Sequence, residues 1–496
     1  MVFNWGGHLI FIVAGFILPR MIDRRLGQES LGIWDFAWSL VTYFDWVNAG
    51  IGSSVQSYVA RYRAEGNADG VNRVVSTAAF LLGVAALLAV GLTTAASLLL
   101  PSLFGYRLGP NVREAQWIVL FLGATVGSGI FAGAFRGVLT GCHRWGLHNV
   151  NTSGWYAATV AAMIIALLAG GGLRILAAIT FAGQALGDLR SLILAHRVFE
   201  GLRLRPSHVR WLMVRELFAF GGKSLIPNVS NLLLNQTTSI LIVCYLGPAA
   251  LALYSRPRGL VNHVYALINK YASVVTPIIS SLESERNLDG IRDLLIKAVR
   301  YSLYMALPMI LVLVFFGGTL MRVWMGARYA NGLIPAILAL GSLAPMSQIP
   351  VLKTLQGLNA HGRAGISQFA ASLCSAGLTF LALGPLGLGT VWAAVAVTVP
   401  VTIVNLVYLP PLVCRRVGLG LKQYFLSVAV GPMMRVFPFA ACLLVARLVF
   451  PGEPLLGLVW GGLAGSAVLA ALYWRYVLPK GMCAKIRGAV RICRTG

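Results

Sequence analysis

The sequence predicts an all-α membrane protein of about 14 transmembrane helices, and three observations predict it. Of the 496 residues, 58% are hydrophobic and only 11% are charged, where soluble domains carry about 25% charged residues. Mean hydropathy is +0.78, and apolar stretches recur at the length of about 20 residues that a helix needs to cross a bilayer. Gly is 55 of the 496 residues, about 11% against a usual ~7%, which suits closely packed transmembrane helices.

The predicted spans lie near 4–22, 31–58, 74–102, 115–140, 150–170, 173–195, 217–246, 250–280, 298–324, 331–357, 365–384, 386–411, 425–450 and 454–478. The first apolar stretch, Trp5 to Pro19, has no basic segment before it and no small-residue cleavage site after it. It therefore reads as a span and not as a secretory leader. With the N-terminus inside, the inner loops and tail hold 23 Lys and Arg residues and the outer side 9, with 8 more inside spans. The positive-inside rule then places both termini in the cytoplasm. It also accounts for most of the formal net charge of +25 without nucleic acid, which no polar domain is present to hold.

The chemistry of enzymes is not visible. The seven cysteines are scattered without CxxC spacing, which suggests neither a disulfide framework nor a zinc site. There is no Walker A, GxSxG or HExxH pattern, so no cofactor, metal or catalytic residue is expected.

The chain repeats itself. Arg25-Leu26-Gly27-Gln28 corresponds to Tyr245-Leu246-Gly247-Pro248, and Asn67-Ala68-Asp69-Gly70 to Asn287-Leu288-Asp289-Gly290. Leu139-Thr140-Gly141 matches Leu355-Gln356-Gly357, and His196-Arg197-Val198 matches Arg415-Arg416-Val417, all at offsets of 216–220. The repeating unit has six spans, so both copies share one orientation. Such parallel repeats place a transport pathway at their interface.

Polar stripes mark the same helices in both halves. Span 7 carries Asn228, Asn231, Asn235 and Thr238 at intervals of three and four; span 8 carries Arg256, His263 and Lys270 seven apart. Span 2 carries Asp45, Asn48, Gly52 and Gln56. These spacings put each set on one helical face, and in so apolar a chain that face is expected to line a protein-walled, water-filled space. Lys223 stands at the foot of the striped span 7; Arg258 lies near the outer end of span 8 and Arg24 at that of span 1. Against the cavity reading stands a plainer one. Arg256, Arg258 and Lys270 sit near span ends, where such side chains reach out to headgroups. Asp45 is read as a salt-bridge partner or a proton or cation site, and Asp35 as an interfacial group.

Residue patches carry a family resemblance. They run from Asn4-Trp5-Gly6 through Arg25-Leu26-Gly27, Leu31-Gly32-Ile33-Trp34 and Phe44-Asp45 to Ala49-Gly50-Ile51-Gly52 and Tyr58-Val59-Ala60-Arg61-Tyr62, with Tyr254-Ser255, Arg258 and Trp324-Met325-Gly326 in the second half. In these the chain resembles the polysaccharide-biosynthesis flippases of the multidrug/oligosaccharidyl-lipid/polysaccharide exporter superfamily, the O-antigen and capsule translocases. The resemblance implies two six-helix lobes in a V. Residues 1–200 would form the N-lobe, 201–216 a basic cytoplasmic linker and 217–416 the C-lobe. Spans 13 and 14 fill 417–478, and 479–496 would be a basic interfacial cytoplasmic tail. It implies alternating access, a bacterial inner-membrane location and an undecaprenyl-pyrophosphate-linked oligosaccharide as cargo, with membrane lipids and polysaccharide polymerase machinery as partners. Members often carry an acid partway along span 7; here that stretch reads Asn235-Gln236-Thr237-Thr238. A multidrug/cation antiporter of the same superfamily and a membrane polymerase or ligase acting on lipid-linked sugars are the alternatives. A net basic set of span residues argues against the first, and short outer loops against the second.

Overall fold

The computed structural model describes residues 2–222 and 225–478. The expected tail helix over 479–496 and Lys223 lie outside the described residues. Regular structure among those residues is helical throughout. The first half comprises α1 (Val2–Leu26), α2 (Gln28–Val41), α3 (Trp46–Ala64), α4 (Ala68–Leu108), α5 (Val112–Gly141), α6 (Trp145–Leu168) and α7 (Leu173–Val198). The second comprises α8 (Trp211–Gly222), α9 (Leu225–Leu232), α10 (Thr238–Leu246), α11 (Pro248–Ala272), α12 (Val275–Ser284), α13 (Leu288–Met325), α14 (Leu333–Gly357), α15 (Gly362–Leu383), α16 (Thr390–Ile403) and α17 (Leu409–Val417). Then follow α18 (Leu421–Phe425), α19 (Gly431–Val449) and α20 (Pro454–Tyr476).

Helix occupies every one of the predicted windows. By length and composition, nine helical segments among the described residues can cross a membrane, fewer than the fourteen windows. One of the nine, Ala68–Gly141, joins α4 and α5. Helices such as α2–α3 and α11 fall outside the nine because the polar and charged residues of the stripes dilute their apolar content.

The internal repeat is written into the backbone. Among the described residues, positive φ occurs at Gly27 and Gly247, Gly66 and Arg286, Gly109 and Gly326, His143 and Asn359, Gly170 and Gly387, and otherwise at Gly418. Each pair is separated by the 216–220 residues of the sequence repeat. Gly27 (φ 91°, ψ 165°) and Gly247 (φ 87°, ψ 172°) hold a conformation that only glycine adopts without strain, and they precede the repeat-related helices α2 and α11. The Asn67 side chain caps α4 by accepting from the Gly70 N–H at 2.8 Å, and Asn287 caps α13 by accepting from Gly290 at 2.8 Å. Close packing repeats as well. A Cβ on Gly141 would lie 2.8 Å from the Gln56 carbonyl and 2.9 Å from Val59, and one on Gly357 would lie 2.9 Å from the Thr276 carbonyl and 2.7 Å from Ile279. So α3 meets α5 as α12 meets α14, with small residues letting backbones approach as membrane helices require.

The chain groups into two compact units. One holds residues 1–255 and 368–397, the other 256–367 and 398–496. The second unit has two buried clusters. One gathers Val275, Ile279, Leu295, Leu355, Val413 and Tyr424. The other gathers Leu303, Tyr304, Phe316, Val436, Phe439 and Leu443, and it fixes α19 on α13.

Candidate functional site

In the first unit, the two polar helices of the candidate site are irregular. The second span does not run straight: α2 ends at Val41, a 3-10 turn covers Thr42–Asp45, and α3 begins at Trp46. Asp45 closes that turn and is exposed. Asn48 sits in the first turn of α3, and its side chain is not among those described. The seventh span carries a π-helical turn, Leu233–Thr237, between α9 and α10. Such a turn inserts one extra residue and shifts everything beyond it around the helix. The expected single stripe is therefore split. Asn231 is exposed and Asn235 half-buried, whereas Thr238 is fully buried and donates its hydroxyl to the Leu234 carbonyl at 2.9 Å. Asn228 lies in α9, and its side chain is not among those described. The two irregular turns meet: the Tyr43 and Thr237 hydroxyls are hydrogen-bonded.

The first unit also joins the start of α2 to the start of α11 through repeat-related residues. Asp35 and Ser255 are 220 residues apart, and the Ser255 hydroxyl donates to Asp35 Oδ2 at 2.5 Å. Gln28 Nε2 donates to the Ala249 carbonyl at 3.0 Å. Gly32 lies so close to Pro248 that an added Cβ would fall 1.9 Å from its carbonyl oxygen. Nearby, the Cys244 carbonyl accepts from the Tyr106 hydroxyl at 2.8 Å and from Arg107 Nε at 3.1 Å. When an element touches its own repeat copy through equivalent positions, a pseudo-two-fold axis passes between them. Asp35 is therefore more than the interfacial group expected from its place in the span. The repeat offset was the signal that could have paired it with Ser255. Arg24, on the last turn of α1, is exposed.

The basic stripe of the eighth span stands on one unbroken helix. α11 runs continuously through Pro257, so the seven-residue spacing of Arg256, His263 and Lys270 keeps them on one face. All three, and Arg258, are half-buried. A chain of guanidinium, imidazole and ammonium groups along one helix can hold an anion at several depths. Arg engages phosphate oxygens bidentately and Lys acts as a point charge.

Charges on other spans serve the fold. Arg435 donates to the Tyr304 hydroxyl and lies 5.8 Å from the Tyr304 ring and 5.7 Å from the Tyr476 ring, a cation–π cage. Arg136 donates to the Gly129 carbonyl. Asp188 is buried and accepts from Ser128 Oγ at 2.6 Å and Gln184 Nε2 at 3.0 Å. In the turn after α5, burial pushes the Cys142 thiol up from its ordinary range against the pull of Arg63 and Arg144.

An almost wholly helical, apolar chain built from an internal repeat, with polar groups gathered on its second, seventh and eighth spans, defines a multi-pass membrane transporter. Residues 3–283, more than half of the chain, match the family model described as polysaccharide biosynthesis protein, and the chain belongs to that family. It is 21% identical over 458 residues to the uncharacterized membrane protein EpsK of Bacillus subtilis strain 168, covering 90% of this chain and 88% of that one. It is 21% identical over 335 residues to a Shigella flexneri protein provisionally named an O-antigen transporter, covering 66% and 76%. Among solved structures it is similar to the lipid II flippase MurJ in an inward closed conformation, with a TM-score of 0.71 at 13% identity over 96% of this chain and 100% of that one. It is equally similar to an inward-facing MATE family multidrug transporter of the MOP superfamily, with a TM-score of 0.71 at 15% identity over 84% and 95%. The expected family and all-α transporter fold are thereby established.

Proposed function

We propose that the chain is a flippase that carries an undecaprenyl-pyrophosphate-linked oligosaccharide from the cytoplasmic to the periplasmic leaflet of a bacterial inner membrane, for cell-surface polysaccharide assembly. The observation that carries this reading is the half-buried basic stripe Arg256, His263 and Lys270 on the uninterrupted helix α11, with Arg258 half-buried on another face of the same helix. A pyrophosphate crossing a region of low dielectric needs compensating charge along its route, and this stripe supplies it every seven residues. The amides of Asn48, Asn228, Asn231 and Asn235 are suited to sugar hydroxyls. Lys223 and Arg24 add positive charge at the two ends, and Asp45 supplies an acceptor beside the irregular turn.

Alternating access fits a repeat whose copies touch through equivalent positions. The Asp35–Ser255 and Gln28–Ala249 bonds are few, short-range and polar, and so suited to being made and broken in each cycle. In this reading both termini are cytoplasmic, the protein acts as a transporter rather than an enzyme, and polymerase machinery takes the delivered cargo. The MATE likeness keeps a second reading in play, a multidrug or cation antiporter; a net basic α11 favours an anionic cargo over it. Deleting the gene tests the choice. The expected result is an undecaprenyl-linked glycan accumulating on the cytoplasmic face. Unchanged glycans with altered drug sensitivity would overturn the flippase reading.

A further inference from the structure

Residues 201–216 connect the two repeats as a basic linker. Five hydrogen bonds to α4 pin the backbone of this segment. Asn72 Nδ2 donates to the Gly201 carbonyl at 3.0 Å, and Asn72 Oδ1 accepts from the Arg203 N–H at 2.9 Å. Ser76 Oγ donates to the Arg203 carbonyl at 3.3 Å and accepts from the Arg205 N–H at 3.4 Å. Thr77 Oγ1 accepts from the Arg210 N–H at 3.4 Å. Asn72, Ser76 and Thr77 are all buried, so three polar side chains of an apolar helix are committed to fixing this strand of chain. Beyond it, α8 turns Met213, Val214 and Leu217 inward.

The opposite face is basic and aromatic. Arg203, Arg205, Arg210 and Arg215 are exposed, Trp211 is 82% exposed, and Leu204 is 40% exposed. Trp211 and Arg215 are four residues apart on α8 and so share a face. The only acids of the stretch are Glu200 and Glu216 at its two margins. An exposed indole flanked by arginines on a rigid backbone, at the end of a transmembrane bundle, matches the headgroup zone of a bilayer. There Trp lies at the interface, and clustered basic residues are drawn to anionic lipids.

We propose that the segment Arg203–Arg215 is a docking surface for anionic phospholipid headgroups, clamped to the bundle by Asn72, Ser76 and Thr77. Trp211 inserts among the headgroups and the four arginines select negative charge.

The test places the full chain in phosphatidylcholine vesicles doped with either brominated phosphatidylglycerol or brominated phosphatidylcholine. The Trp211 share of the fluorescence is the difference from Trp211→Phe. Brominated phosphatidylglycerol is expected to quench that share severalfold more than brominated phosphatidylcholine. High salt and the triple variant Arg203→Gln/Arg205→Gln/Arg210→Gln should abolish the preference, and the corresponding Arg→Lys triple should keep it. Asn72→Ala, which frees the backbone, should weaken it. Equal quenching by the two lipids would overturn the proposal, because a zwitterionic interface would then suffice. Absence of quenching by either would overturn it in favour of a surface facing water and a soluble partner.

Discussion

The second span and its repeat copy, the eighth, begin alike and then part. Both start at a glycine of positive φ, Gly27 and Gly247. The second span breaks into a 3-10 turn at Thr42–Asp45. The eighth continues to Ala272 and breaks only afterwards, before Val275. The preceding helices part in the opposite sense: α1 is continuous, while the seventh span widens into a π-helical turn at Leu233–Thr237. Each half thus has one continuous helix and one irregular helix, and the two irregular turns bond to each other through Tyr43 and Thr237. The scaffold obeys the repeat; the polar residues sit where it is broken. π turns inside helices are frequent at functional sites. The continuous partner α11, by contrast, carries Arg256, His263 and Lys270 in register.

That asymmetry can be removed. Deleting Gln236 restores α-helical register and turns Asn231 and Asn235 by about 100° relative to Thr238. The protein is expected to fold, with transport in reconstituted vesicles falling about 100-fold, as a misplaced polar site predicts. Retained transport would show that the π turn positions nothing. Next in size is Gly32→Val, whose side chain meets the Pro248 carbonyl. The expected loss is about 1–3 kcal/mol of stability, read by thermal unfolding. The same measurement on Ala252→Val should come out differently, since Ala252, the repeat equivalent of Gly32, already carries a Cβ. The smallest effect tests the scaffold alone. Arg286 holds φ 54° where its copy is Gly66. Arg286→Gly relieves a left-handed residue and should stabilise by up to about 1 kcal/mol, whereas Gly66→Ala should cost a similar amount.

The sequence carried the scaffold well. Apolar windows became helices because length and hydropathy set them, and four short patches revealed a repeat that the backbone shows at five pairs. His143 and Asn359 escaped the reading because a shared backbone conformation needs no shared residue. The 3-10 and π turns left no trace, since one residue more or less in a helical turn changes neither composition nor periodicity over a short window. A proline inside a helix removes a hydrogen bond and commonly kinks it, yet α11 runs through Pro257 unbroken. The seven-residue spacing on α11 keeps its register because no irregular turn intervenes, and the spacing on the seventh span does not because one does. The Asp35–Ser255 contact required the fold to bring equivalent positions together.

The central claim is that α11 holds an anionic lipid pyrophosphate. Its most direct test is the affinity of the purified chain for undecaprenyl pyrophosphate, by native mass spectrometry, beside the double variant Arg256→Gln/Arg258→Gln. Loss of charge-assisted hydrogen bonds, worth about 1.5–3 kcal/mol each, predicts affinity at least about tenfold weaker in a folded variant. Equal affinity in a folded variant would contradict the account.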